Sequence, residues 1–224
     1  MRKSCIVILL LAAVLLTACG SAALEPAVTE TPTPAESAEP IPTETPAPTE
    51  PVLTGPFYVK VNNECNTLTV YTVEEDGSLS PCKAMVCSTG SATPTGGVYD
   101  ISYTGKWEWL GLFGDVYGQY CTQIDGNILF HSVPYLVKGD KGSLEYWQFD
   151  QLGTACSMGC IRLQVIDAKW IFDHKDDITG VEFYYDADPG PLGKPVPPNI
   201  GDNVECRGWD PTDPDPNNLW NFVD

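Results

Sequence analysis

From Pro56 onward, apolar and polar positions alternate in short runs. Phe57-Tyr58-Val59-Lys60-Val61 and Thr67-Leu68-Thr69-Val70-Tyr71-Thr72 have the two-residue period of half-buried strands, and the Asn62 to Asn66 stretch between them predicts a hairpin. Further strands are expected from Lys83 to Cys87, Val98 to Tyr103, Gly118 to Ile124, Asn127 to Phe130 and Thr179 to Tyr185, with Gly, Pro, Asn and Asp between them. Asp125-Gly126-Asn127 reads as the turn of a second hairpin. Trp107, Trp109, Leu110, Leu112 and Phe113, interleaved with glycines, read as an aromatic loop that packs on the core or forms a flap. Only Val165 to His174 spaces its apolar residues three and four apart, which predicts one helix with Asp167 in its first turn. The expected fold class is mainly β, a sandwich or barrel-like domain with a single helix.

The alternation is absent at both ends. Arg2 and Lys3 precede the apolar run Ile6 to Leu16, which is too short for a comfortable membrane span and reads as an export signal. Leu16-Thr17-Ala18-Cys19 resembles a lipobox, which makes Cys19 the expected site of lipid attachment. Thr, Pro, Glu and Ala dominate residues 20–55, a composition that cannot build a core and predicts an extended tether. Residues 187–224 are rich in Pro, Gly, Asp and Asn yet keep Trp209, Trp220 and Phe222, so a tail packed on the domain is expected. Asp210, Asp213 and Asp215 alternate with prolines; without the glycine and terminal glutamate of a calcium loop, they read as Asp-Pro turns. The expected boundaries are thus 1–19, 20–55, a folded domain over 56–186, and 187–224.

Charge and cysteine content narrow the picture. Thirty acidic residues against 12 Lys and Arg give a formal net charge of −18, which leaves no basic footprint for nucleic acid. Of nine cysteines, Cys5 and Cys19 lie in the leader. The odd seven predict three disulfides and one free thiol, in an unspecified pairing.

The densest chemistry lies in Ser157-Met158-Gly159-Cys160-Ile161-Arg162-Leu163, read with Phe130-His131-Ser132. Cys160 beside a glycine suits a nucleophile at a tight turn, where a substrate carbonyl can approach backbone N–H groups. His131, at the end of a strand, is the candidate base; His174, at the polar end of the helix among aspartates, reads as solvated. The stretch between them, 133–156, carries Tyr135, Tyr146, Trp147 and Phe149 and is either a covering flap or a packed insertion.

These residues, together with Thr69-Val70-Tyr71, Cys87-Ser88-Thr89-Gly90, Thr93 to Tyr99 and Asp167 to Phe172 in that order, resemble the L,D-transpeptidase (YkuD-like) catalytic domain over roughly 56–186. The resemblance implies an L,D-transpeptidase sandwich with one helix after the nucleophile. It implies that Cys160 attacks and His131 takes the proton, while the Ser132 carbonyl orients the imidazole. Backbone N–H groups near Met158, Gly159 and Cys160 would hold the oxyanion, and Met158 stands where the family usually has histidine. Ser157 and Arg162 are expected at the substrate, Ser157 bonding across the turn and Arg162 binding a carboxylate or pinning the loop. With Cys160 as the thiol, Cys65, Cys82, Cys87, Cys121, Cys156 and Cys206 are left for disulfides. The implied activity is cross-linking of peptidoglycan stem peptides, without cofactor or metal, by a monomer lipid-anchored at the membrane and facing the wall. An L,D-carboxypeptidase, or a non-catalytic wall-binding module or a zinc site using Cys156, Cys160 and His131, are the alternatives.

Overall fold

The computed structural model describes residues 53–201, 203 and 205–223. The export signal, Cys19 and all but the last three residues of the 20–55 stretch lie outside the described residues. Among the described residues nine strands form two sheets. The first sheet holds β1 (Phe57–Asn62), β2 (Thr67–Val73), β3 (Leu79–Val86), β4 (Gly97–Tyr99) and β9 (Ile178–Tyr184), in the order β3-β2-β1-β9-β4. The second holds β5 (Lys106–Leu112), β6 (Val116–Asp125), β7 (Ile128–Ser132) and β8 (Ile161–Leu163), in that order.

Alternation explains the packing. In β1, Phe57, Val59 and Val61 are fully buried while Tyr58 and Lys60 are not. They meet Phe130, Ile161 and Leu163 of the second sheet in one core, which Ala168 and Ile171 of helix α2 (Val165–Asp173) close. Each such side chain contributes about 1.5–3 kcal/mol by leaving water, so the face-to-face packing of the two sheets dominates the fold.

Two pairings are parallel, β1 with β9 and β7 with β8. The second matters for the site: it sets His131 opposite Arg162, so that Cys160, just before β8, falls level with Leu129 of β7 although it lies far along the chain.

Several expectations need correction. Residues 106–112 are a strand, β5, paired along its length with β6 rather than an aromatic loop. Its glycine does not break the strand: Gly111 lies opposite Tyr117 in the ladder. The strand expected to reach Tyr103 ends at Tyr99. A second, short helix, α1 (Tyr146–Phe149), lies in the 133–156 stretch, which is a packed insertion: Val133, Tyr135, Leu144, Phe149 and Leu152 are buried in a second core that also takes Val165 and Ile200. His174 is not simply solvated, since its ring stacks on Trp170 at 4.2 Å between centroids.

The three expected disulfides are also absent. All seven described cysteines are free thiols. They are dispersed over separate elements and occupied locally: Cys65 donates to the Asp186 carbonyl at 3.2 Å, Cys82 to the Val70 carbonyl at 3.4 Å, and Cys87 is buried in the main core. A disulfide demands a narrow range of Cα and Cβ geometry that an odd-count argument does not supply.

The C-terminal residues are tied to the insertion. Asp150 accepts from the Ile200 and Gly201 N–H groups, Leu144 N–H donates to the Gly208 carbonyl, and Trp220 Nε1 donates to the Trp209 carbonyl. The aspartates of this segment build turns: Asp210 Oδ1 accepts from Thr212 N–H, Asp213 Oδ1 from Asp215 N–H, and Asp215 Oδ1 from Asn217 N–H. Between Asp213 and Asp215 lies the Lys141 ammonium, 3.1 Å from each carboxylate, so the position a cation would take is filled by the protein.

Candidate active site

Cys160 and His131 line the same cavity, of about 490 Å³. His131 is the fourth residue of β7 and nearly inaccessible to solvent. Its Nδ1 lies 2.6 Å from the Ser132 carbonyl oxygen, so the proton sits on Nδ1 and Nε2 is left as the acceptor. Burial pushes its pKa down to about 4, with the Arg162 guanidinium adding to the fall and the Ser132 carbonyl opposing it. At neutral pH the imidazole is uncharged.

Cys160 precedes β8, with its thiol 3.4 Å from the Asn127 carbonyl in the β6–β7 turn. Burial raises the thiol pKa, while hydrogen bonding at the Leu129 backbone and the charge of Arg162 pull it down. The pair therefore rests as neutral thiol and neutral imidazole, not as an ion pair. Cys121 is a neighbour of both: its sulfur lies 2.8 Å from where a Cβ on Gly118 would stand, and His131 Cβ is 3.1 Å from the same point. Burial, with Cys160 next, pushes the Cys121 thiol up to about 12. Gly118 is thus favoured by space, since a methyl there would clash with the Cys121 sulfur and press on His131.

The loop before Cys160 is fixed from three sides. Ser157 Oγ donates to the Cys160 carbonyl at 2.6 Å and accepts from Gly159 N–H at 3.1 Å. Ser157 N–H donates to the Thr89 carbonyl and Ala92 N–H to the Met158 carbonyl. Thr93 Oγ1 donates to the Gly159 carbonyl at 2.7 Å. A Cβ on Gly90 would lie 1.9 Å from the Ser157 carbonyl oxygen, so only glycine lets the loop approach this closely.

Of the roles expected for Ser157 and Arg162, the bond across the turn and the loop pin are present, and the Gly159 N–H expected at the oxyanion is taken. The Ser157 hydroxyl is spent within the turn, and the Gly159 N–H is engaged by it; neither is directed at a substrate. Arg162 makes no ion pair among the described residues. Its Nη1 donates to Gln148 Oε1 at 2.6 Å and to the Cys156 carbonyl at 3.4 Å, which makes it a loop pin anchored by a neutral amide. Sequence reasoning missed Gln148, Asn127, Thr93 and Cys121, because each acts through a contact made in space. Only Thr93 carried a signal, as part of the Thr93-Pro94-Thr95-Gly96-Gly97 turn.

Trp107, Leu110, Leu112 and Phe113 of the β5–β6 hairpin supply apolar lining to the cavity, which Met158 also lines. The Met158 side chain is 63% exposed there. Among the described residues no group of three or more His, Cys, Asp or Glu side chains could hold a metal ion, so Cys156, Cys160 and His131 do not form a zinc ligand set.

A cysteine and a buried histidine thus line one cleft beside the parallel pair β7–β8 of the second sheet. Residues 56–203 match the L,D-transpeptidase catalytic domain family, and the chain belongs to that YkuD family. It is 33% identical over 118 residues to the Bacillus subtilis (strain 168) protein named "Putative L,D-transpeptidase YciB", covering 50% of this chain and 54% of the relative. The chain thus spans about half the length of that curated relative. Among solved structures it is similar to a "fused Zn-dependent amidase/peptidase/peptodoglycan-binding domain-containing protein" from Clostridium acetobutylicum, at 27% identity and a TM-score of 0.40, covering 58% of this chain and 52% of the other. It is also similar to an L,D-transpeptidase from Stackebrandtia nassauensis, at 18% identity and a TM-score of 0.41, covering 66% and 63%.

Proposed function

We propose that the protein is a peptidoglycan L,D-transpeptidase that works through a Cys160 acyl-enzyme. The observation that carries this reading is the shared cavity of Cys160 and His131, with His131 Nδ1 tied to Ser132 so that Nε2 is the acceptor. As Cys160 Sγ attacks the carbonyl joining an L to a D residue of a stem peptide, its proton passes to His131 Nε2. A pKa near 4 for the base and a raised one for the thiol make prior transfer unfavourable. Proton transfer therefore accompanies formation of the carbon–sulfur bond. With Gly159 N–H bonded to Ser157, the N–H groups of Met158 and Cys160 are left as donors for the developing oxyanion. The C–N bond then breaks, the imidazolium protonates the leaving amine, and a thioester remains. An amine from a neighbouring stem attacks the thioester, the C–S bond breaks, and the thiol recovers its proton. If water attacks instead, the same site trims stems as an L,D-carboxypeptidase.

Supported by the export-signal and lipobox pattern of the sequence, the proposed location is outside the cytoplasm, held to the membrane through a lipid on Cys19 and reaching the wall along the 20–55 tether. Intact-mass measurement after exposure to a carbapenem tests the nucleophile: a covalent adduct is expected on the parent and not on Cys160→Ala. Incubation with a tetrapeptide stem separates the two outcomes, dimer for cross-linking and tripeptide for trimming. Failure of the parent to form either adduct or product would overturn the catalytic reading in favour of a wall-binding module.

A further inference from the structure

A second cavity, of about 340 Å³, lies outside the catalytic cleft, between the 133–156 insertion and the C-terminal residues. Its size is at the lower end of the roughly 300–1,000 Å³ seen for small-molecule sites. Tyr146, Trp147, Trp209 and Leu219 supply apolar surface, and Arg207 and Glu205 supply charge. Trp147 is 44% exposed, and the Tyr146 and Trp147 rings meet edge to face at 5.2 Å between centroids. The Arg207 guanidinium lies over the Tyr146 ring at 5.1 Å, which holds its planar fork at the cavity.

From this lining we infer that the cavity is a binding site for an uncharged pyranose polymer, the glycan strand of the wall. A pyranose ring has apolar C–H faces and a rim of hydroxyls. Exposed aromatic rings take the faces, while a guanidinium and a carboxylate take the hydroxyls, one as donor and one as acceptor. The alternatives fit the groove less well. A polyanion meets one cation, a carboxylate and a chain of net charge −18. A peptide adding as a further strand needs a free strand edge, and the backbone here is already paired: Leu136 N–H to the Ser143 carbonyl, Leu144 N–H to Gly208 and Trp209 N–H to Cys206.

The position adds a functional link. Helix α1 carries Tyr146 and Trp147 into this groove and, in the next residue, Gln148, which holds Arg162 of the catalytic cavity at 2.6 Å. A single turn of helix thus separates the glycan groove from the residue that pins the nucleophile loop. Glycan bound in the groove would hold the attached stem peptide near the thiol and raise its local concentration. This role rests on the proposed peptidoglycan substrate.

The test uses the full chain and chitohexaose, an uncharged β-linked N-acetylglucosamine oligomer, followed by tryptophan fluorescence and calorimetry. Saturable binding is expected, weakened about tenfold or more in Trp147→Ala and in Arg207→Gln. Trp147→Ala removes an exposed side chain, and Arg207→Gln keeps much of the stem, so the pair guards against loss of fold in either one. Absence of saturable binding, equal affinity in parent and both variants, or displacement of chitohexaose by a sugar-free stem tetrapeptide would overturn the proposal. The same preparations are exposed to a carbapenem. Adduct without sugar binding removes the groove proposal alone, and sugar binding without adduct removes the catalytic reading while the groove stands.

Discussion

His131 in the cleft and Asp210 in the C-terminal segment are both sealed from water, and burial moves their pKa values in opposite directions. His131 falls to about 4 and Asp210 rises to about 6, burial being the leading cause in each. The same loss of solvation favours the neutral form of both, but the protein uses the results differently. The neutral imidazole is a free base with Nε2 available, so its depressed pKa keeps it ready to accept a proton down to mildly acidic pH. The Asp210 carboxyl is instead fully spent on structure. Its Oδ2 accepts from Val165 N–H at the start of α2, its Oδ1 accepts from Thr212 N–H and Oγ1, and its backbone carbonyl accepts from Asn218 Nδ2. A buried titratable group therefore marks chemistry only when one of its atoms is left without a structural task.

The largest test of this contrast removes the free base. His131→Ala should slow carbapenem acylation by about 10²–10⁴-fold, the range for a positioned general base, with circular dichroism showing a folded chain. In the parent, the acylation rate should hold from neutral pH down to about pH 5 and collapse below about pH 4, as the imidazole takes up its proton. A midpoint near the ordinary histidine value would mean that the ring is solvated in solution.

Removing the structural partner should do the converse. Asn218 is fully buried, and its Nδ2 donates at 2.9 Å to both the Asp210 and Asp213 carbonyls. Asn218→Ala leaves the Asp213 carbonyl unpaired and the Asp210 carbonyl with the Asp213 N–H alone, and should cost about 1–3 kcal/mol in urea unfolding, with the Cys160 adduct still forming.

Comparable in size but sharper is the pH dependence of stability. The folded pKa of His131 is depressed below the ordinary 6.5, so its contribution is present above that value and lost as pH falls through about 4. The folded pKa of Asp210 is raised above 3.8, so its contribution is full below that value and lost as pH rises through about 6. Each is worth about 3 kcal/mol, and the two nearly cancel between pH 4 and 6.5. Asp210→Asn should expose the histidine term alone. Urea unfolding of this variant should then show stability declining with acidification by about 3 kcal/mol more than in the parent. Parallel curves for the two proteins would sink the assignment to Asp210.

The smallest expected effect is at the join of the two regions. Gln148→Ala removes the 2.6 Å hydrogen bond to Arg162 and should lower the acylation rate about 2- to 10-fold, the kinetic equivalent of one ordinary hydrogen bond. An unchanged rate would show that the Cys156 carbonyl alone suffices to hold the guanidinium.

Local physics made much of this protein readable before any coordinates. Strands β1, β2, β7 and β9 and helix α2 follow from two-residue and three-to-four-residue periods, because one face of each must leave water. The cysteine and histidine that share the cleft were legible as residue types with few structural reasons to stand beside Gly159 and Ser132. Strand β5 was missed because its glycines resemble turn signals, and only pairing with β6 makes them part of a ladder. The disulfide expectation came from counting, and counting contains no distances. Which donor is spent, as at Ser157 and Gly159, which neutral amide holds Arg162, and which of two sealed ionisable groups keeps a free atom were decided by tertiary structure alone. Hydrogen bonds between residues far apart in the chain leave no local trace, because their geometry exists only after the two sheets, the insertion and the C-terminal residues have packed together.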